Sequence, residues 1–212
     1  MHFENGFIYH VFNQGNNRQK IFFSRENYLF FLKKIKSHIT PFADILAWCL
    51  MPNHFHLMIL VNTTELFTDA NQPKQNQISA DTKKFAQKTL NNSIGIMLRS
   101  YTRAVNLQLE RSGGLFREET KAICLNCNHK VTHTWFVSQG ITNINMSIPE
   151  REYPSVCYNY ILLNPLKDGL VKKAEDWEFS SYQDIMGLRN GTLINRKRIQ
   201  ALGLNIIDNE TF

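Results

Sequence analysis

The 212 residues are 43% hydrophobic, 12% aromatic and 20% charged, a globular composition with enough apolar side chains for a sizeable core and no low-complexity tract or internal repeat. Four scattered cysteines exclude a disulfide-dense secreted scaffold, and no apolar run approaches the length of a membrane-spanning helix. A net charge of +6 leans toward a polyanionic partner, although a basic surface alone does not define one.

Met1 to Gly6 has no charged segment followed by an apolar run, so no signal peptide is expected and the chain is assigned to the cytoplasm. Phe7 to Phe12 has the β-branched and aromatic content of a strand and runs into polar turn residues, Asn13 to Arg18. Ser24 caps a predicted helix in which Tyr28, Phe31, Leu32, Ile35 and Ile39 recur at helical spacing, and Pro41 marks its end. Ile45 to Met51 and His54 to Val61 read as strands, and the brief Pro52-Asn53 connection favours an antiparallel hairpin. Residues 62–84 turn polar and read as a long connection or lid. A helix from Phe85 to Leu109 would bury Ile94, Met97, Leu98, Tyr101 and Val105 and turn Arg99, Arg103 and Asn106 outward. Leu115 to Leu125 fits a strand carrying Arg117 and Lys121, and residues 126–147 look like an insertion. Pro149 to Asn164 reads as a helix stopped by Pro165, because a residue before proline is pushed out of helical geometry. The basic cluster Arg196-Lys197-Arg198 follows in the tail. The order predicts an α+β fold, a mainly antiparallel sheet with helices packed on one side of it. One domain is expected over residues 1–190, with insertions at 62–84 and 126–147, then a basic tail at 191–212.

Two constellations carry chemistry. In His54-Phe55-His56 the histidines are two apart, so on a strand they share a face, roughly 7 Å apart along the chain, while Phe55 turns to the core. On a helix they would diverge by roughly 200°. Two neutral imidazoles on one face suit a divalent metal whose shell is completed by oxygen ligands. The bare three residues also fit two partly buried histidines at a strand end. Tyr160 and Asn164 lie four apart, hence one turn apart on a single helix face. A tyrosine hydroxyl can attack phosphorus when a metal or base offsets its high pKa, and an asparagine oxygen can ligate the metal one turn away. The pattern equally admits a core aromatic and a helix C-cap, with Tyr153 and Tyr158 as competing tyrosines.

In this order the pieces resemble the REP-associated tyrosine transposases. The likeness rests on Tyr9-His10-Val11 with Gly15-Asn16 and Ile21-Phe22-Phe23, and on the run Ala47 to Leu57. It continues through Gly114-Leu115-Phe116-Arg117, Lys121-Ala122-Ile123, Tyr160 to Pro165, Gly169-Leu170-Val171 and Trp177 to Tyr182. It spans most of residues 7–190, and five motifs in family order make it specific. The family's tyrosine helix usually has a histidine or tyrosine near the position held here by Leu162.

The resemblance implies a ferredoxin-like HUH single-tyrosine nuclease core, with metal on His54 and His56, Asn164 as third ligand and Tyr160 as nucleophile. It implies a transposase-like cleavage of single-stranded DNA near hairpins through a 5′-phosphotyrosine, with Mg²⁺ or Mn²⁺ as cofactor. Arg18, Arg99, Arg103, Arg117, Lys121, Arg196, Lys197 and Arg198 are the candidate DNA contacts, Arg117 first among them. Relatives include monomers and dimers, so both oligomeric states stay open. A domesticated, non-catalytic DNA-binding or regulatory protein on the same fold is the competing reading. A third is a zinc module at Cys124, Cys127, His129 and His133, whose ligand pairs are closer in sequence than zinc fingers place them.

Overall fold

In the computed structural model, residues 1–68, 86–127, 135–138, 141–144 and 153–206 are described. The strands and helices run β1 (Ile8–Gln14), α1 (Arg25–His38), β2 (Ala43–Met51), β3 (His54–Val61), β4 (Glu65–Thr68), β5 (Ala86–Thr89) and α2 (Leu90–Gln108). They continue β6 (Lys121–Cys124), β7 (Trp135–Ser138), β8 (Ile141–Ile144), α3 (Tyr153–Lys167), α4 (Tyr182–Ile185) and α5 (Arg196–Ala201). The main sheet has the order β2-β3-β1-β6, antiparallel throughout. With α1 joining β1 to β2, and β3 lying between those strands, this is the split β-α-β arrangement of a ferredoxin-like unit.

Alternation along β3 decides what covers the sheet. Phe55, Leu57 and Ile59 turn to one face, His56 and Met58 to the other, and all five are buried. A strand buried on both parities needs cover on both sides. On the first face Phe31 of α1 meets Phe55 (ring centroids 5.1 Å) and Tyr101 of α2 (4.9 Å). Tyr101 also donates its hydroxyl to the Ile21 carbonyl at 2.7 Å. On the second face α3 brings Tyr160 against His56. Helices therefore lie on two sides of the sheet, where the sequence pattern suggested one.

β3 has the expected bounds and β2 begins two residues early, at Ala43, while α1 starts after Ser24, whose amide donates to Asn27 Oδ1 at 3.2 Å. Two helices differ. α2 begins at Leu90 and not near 85, because Ala86–Thr89 pairs with Glu65–Thr68 and Thr89 caps the helix by accepting from the Asn92 amide. α3 runs through Pro165 to Lys167. That proline forfeits one N–H, and the last turn closes through a bond from Asp168 N–H to the Asn164 carbonyl at 2.9 Å. Asn164 is thus an in-helix residue and not the C-cap. The predicted strand over 115–125 shrinks to β6, preceded by a single bridge between Phe116 and Gly15.

The free edge of β2 is covered by residues 179–181, with Leu50 N–H bonding the Phe179 carbonyl (2.8 Å) and Ser181 N–H the Trp48 carbonyl (2.9 Å). The segment read as a tail is docked: Asn195 N–H reaches the Ile45 carbonyl, and Ile194, Ile199 and Leu204 are buried. Cys49 and Cys157 are buried thiols, while Cys124 and Cys127 are joined as a disulfide, which leaves neither as a thiolate for zinc. His129 and His133, like most of residues 62–84 and 126–147, lie outside the described residues. Among the described residues no helix is long and apolar enough to cross a membrane.

Candidate functional site

The β2–β3 turn is held in place before any reactive side chain is considered. Pro52 offers its carbonyl to the amides of Ile21 (2.8 Å) and Phe22 (3.2 Å), and Asn53 offers its carbonyl to Gly15 N–H (2.8 Å). Gly15 is required there, since a Cβ would sit 2.2 Å from the Gln19 carbonyl oxygen. The loop it opens places Asn17 (φ 51°) and Arg18 (φ 58°) in the left-handed region, rarely adopted by side-chain-bearing residues.

From this anchored turn β3 presents His54 and His56 on one face, with ring centroids 4.8 Å apart. His54 Nδ1 lies 2.6 Å from the Asn53 amide oxygen, so that nitrogen carries the proton and the lone pair falls on Nε2. His56 Nδ1 meets Nε2 of His10, from β1, at 2.9 Å. All three imidazoles are kept neutral. Burial pushes His10 down to about 3. His56 is lowered well below the usual histidine value by burial and then by His54 and His10. Burial also lowers His54, against the opposing pull of Asp168 and the Asn164 amide.

Tyr160 stands over this group, its ring 5.3 Å from that of His56 and 6.2 Å from that of His10. Its pKa is pushed up to about 12, first by burial and then by Asp168 and Cys157, with the Asn164 amide drawing it back. The other tyrosines are placed differently. Tyr158, two residues away and so turned by roughly 200°, is fully buried with its hydroxyl unpartnered. Tyr153 lies about 10 Å along the helix from Tyr160. Leu162 is wholly buried in the core.

Two buried polar atoms here lack a hydrogen-bond partner, His56 Nε2 and Asn164 Oδ1. Buried polar groups are rarely left unsatisfied, and a nitrogen and an oxygen lone pair beside a neutral His54 fit a divalent cation. Among the described residues no group of three His, Cys, Asp or Glu side chains could hold a metal ion, so an ion here would need the Asn164 amide oxygen beside the two imidazoles.

The basic residues separate into four places. Arg99, Arg103 and Arg117 share one cleft with Arg111, Asn13 and Asn106, bordering the α1–α2 face of the sheet. Arg18 instead lines a cleft that starts at Asn53 and Asp168 and continues past Lys20, Arg25, Phe23, Trp177 and Phe179. Lys121 is exposed and paired with Glu119 at 2.7 Å. The tail cluster is engaged internally: Arg196 donates to the carbonyls of Asp184 and Arg189, and Arg198 to Asp44 at 3.2 Å. Lys197 lines a separate groove with Lys36 and Asp44. Asp44 is seven residues before Met51 in β2, which puts this cluster about 23 Å along the strand from the histidine end. His10, Arg111 and the aromatic cleft were not singled out by the sequence pattern. For His10 the available signal was its position two residues before Phe12 on a strand, hence on the same face.

The chain matches no protein-family profile and no curated protein sequence. Its fold is similar to that of a solved structure of a REP-associated tyrosine transposase bound to a REP hairpin, with a TM-score of 0.50 and 16% identity over 92% of each chain. At that identity the likeness shows a shared α+β fold and no more.

Proposed function

We propose that this chain is a metal-dependent HUH endonuclease and strand transferase, transposase-like, that cleaves single-stranded DNA near hairpins and links itself to the 5′ end through Tyr160. The observation that carries this reading is the packing of Tyr160 on His56, 5.3 Å between rings, beside two buried polar atoms that lack partners. A Mg²⁺ or Mn²⁺ ion held by His54, His56 and Asn164 would supply the positive charge that polarises a scissile phosphate. Tyr160 Oη attacks phosphorus in line, the O–P bond forms, the bond from phosphorus to the 3′ oxygen breaks, and the phenolic proton ends on that oxygen. Burial pushes the pKa of Tyr160 up to about 12, and a metal ion beside it would offset that rise. The reverse step, by another 3′-hydroxyl, joins new ends and uses the energy kept in the phosphotyrosine.

The cleft beside Asn53 suits an unpaired strand, since Phe23 and Trp177 offer aromatic surface for bases and Arg18 and Lys20 charge for phosphates, while Arg25 in the same cleft is paired with Glu178. A hairpin as the paired part of the substrate is supported by the hairpin in the similar structure. Arg99, Arg103 and Arg117 are the proposed duplex phosphate contacts. Because these arginines border the face opposite Tyr160, binding without catalysis is a coherent second reading. Incubation with Mn²⁺ and a labelled hairpin library, followed by denaturing electrophoresis, separates the two. A labelled band at protein mass, absent in Tyr160→Phe, is expected. Salt-sensitive binding with no covalent band for any hairpin would establish the non-catalytic reading instead.

A further inference from the structure

We propose that His10 is a positioning residue which accepts the Nδ1 proton of His56 and so turns the Nε2 lone pair of His56 toward the metal. The inference rests on the metal reading of His54, His56 and Asn164.

Its basis is the single proton that a 2.9 Å contact between two ring nitrogens can hold, His10 Nε2 against His56 Nδ1. A neutral imidazole has one N–H and one lone pair. If His10 donated, His56 would carry its proton on Nε2, a buried atom with no acceptor beside it, and would present no ligand. If His56 donates, the same buried Nε2 becomes a lone pair, and the missing partner is the cation. His54 already shows this arrangement, with Nδ1 bonded to Asn53 Oδ1 at 2.6 Å. Metal-binding histidines commonly donate their second ring nitrogen to a fixed acceptor, which sets both tautomer and ring plane. Here the acceptor is an imidazole.

The ring of His10 is fixed well enough to serve. It is buried, it stacks on Phe12 (4.7 Å between centroids, 30° between planes), and it lies diagonally across the β1–β3 pair from His56. Its plane is tilted 30° from that of His56 at a centroid distance of 5.0 Å, so the two nitrogens face each other edge to edge. Burial excludes solvent as a substitute acceptor, and among the described residues His10 is the group bonded at His56 Nδ1.

The test uses the full chain with manganese alone and no DNA. Mn²⁺ affinity is read by electron paramagnetic resonance for wild type, His10→Leu and His10→Gln. Leucine keeps apolar bulk without an acceptor, whereas glutamine can place an oxygen near the position of the lost Nε2. The expected result is a loss of about 10- to 100-fold in His10→Leu and substantial recovery in His10→Gln. Equal affinity for wild type and a folded His10→Leu overturns the proposal. Should the leucine variant fail to fold, ¹⁵N-histidine spectra of metal-free wild type decide it. A proton on His56 Nδ1 is expected, and one on Nε2 overturns the assignment. Wild type that binds no manganese overturns the metal reading itself, and the inference with it.

Discussion

Acidifying the metal-free protein from pH 8 to pH 5 should destabilise it progressively, because burial opposes protonation of His10 and His56. His10 is 4% exposed and its pKa is pushed down from 6.5 to about 3, while His56 is held well below 6.5, in both cases first by burial. In the unfolded chain both protonate near 6.5, so below that pH the unfolded state binds more protons than the native one. The stability tied to neutral imidazoles is complete above the unfolded value and is lost as pH falls toward the folded one. For His10 alone, values of 6.5 and about 3 give a loss of about 2 kcal/mol between pH 8 and pH 5. The slope near pH 5 approaches about 1.4 kcal/mol per pH unit for His10, and His56 adds to it in the same direction. Urea unfolding at constant ionic strength, with chelator present, measures this directly. His10→Gln removes one of the two sites and should flatten the decline by about one proton. An unchanged slope in that variant would mean that folded His10 protonates as readily as unfolded His10, which would refute the reasoning.

Tyr160→Phe should abolish the covalent DNA adduct with little loss of stability, whereas Tyr158→Phe, whose hydroxyl is buried without a partner, should keep the adduct and shift stability by less than about 1 kcal/mol. Gel electrophoresis of the adduct and thermal melting read both variants. Alanine at Arg99, Arg103 or Arg117 should each lower the dependence of log K on log salt by about 0.9 for duplex contacts, and a slope unmoved by all three would remove that cleft from the DNA interface. Arg198→Ala should leave that slope alone while releasing Asp44, so a changed slope would return the tail cluster to the interface. Gly15→Ala should destabilise by about 1–3 kcal/mol or more, since the new Cβ meets the Gln19 carbonyl at 2.2 Å. A melting temperature equal to wild type would show that the loop beside Asn53 yields easily.

The juxtaposition of the candidate site residues was legible because their geometry is local. A two-residue spacing on a strand puts His54 and His56 on one face, and a four-residue spacing on a helix does the same for Tyr160 and Asn164. The hairpin around Pro52-Asn53 and the capped start of α1 were legible for the same reason. What could not be read depends on partners distant in the chain. α2 starts late because β5 bonds to β4, about twenty residues earlier, and propensity within a window contains no such partner. His10 faces His56 only through the β1–β3 register, which no single strand's pattern contains. Sequence likewise presented Arg99 and Arg198 as similar outward charges. Packing made one part of an arginine-lined cleft and gave the other to Asp44. Composition and short-range periodicity thus determined β1, α1, the β2–β3 hairpin, the cores of α2 and α3, the α+β class and the faces of the candidate ligands. The tertiary structure alone decided the pairing of those faces, the second layer of helix cover and the fate of each charge, because those follow from hydrogen bonds and shared burial between residues from 46 to 104 positions apart and beyond.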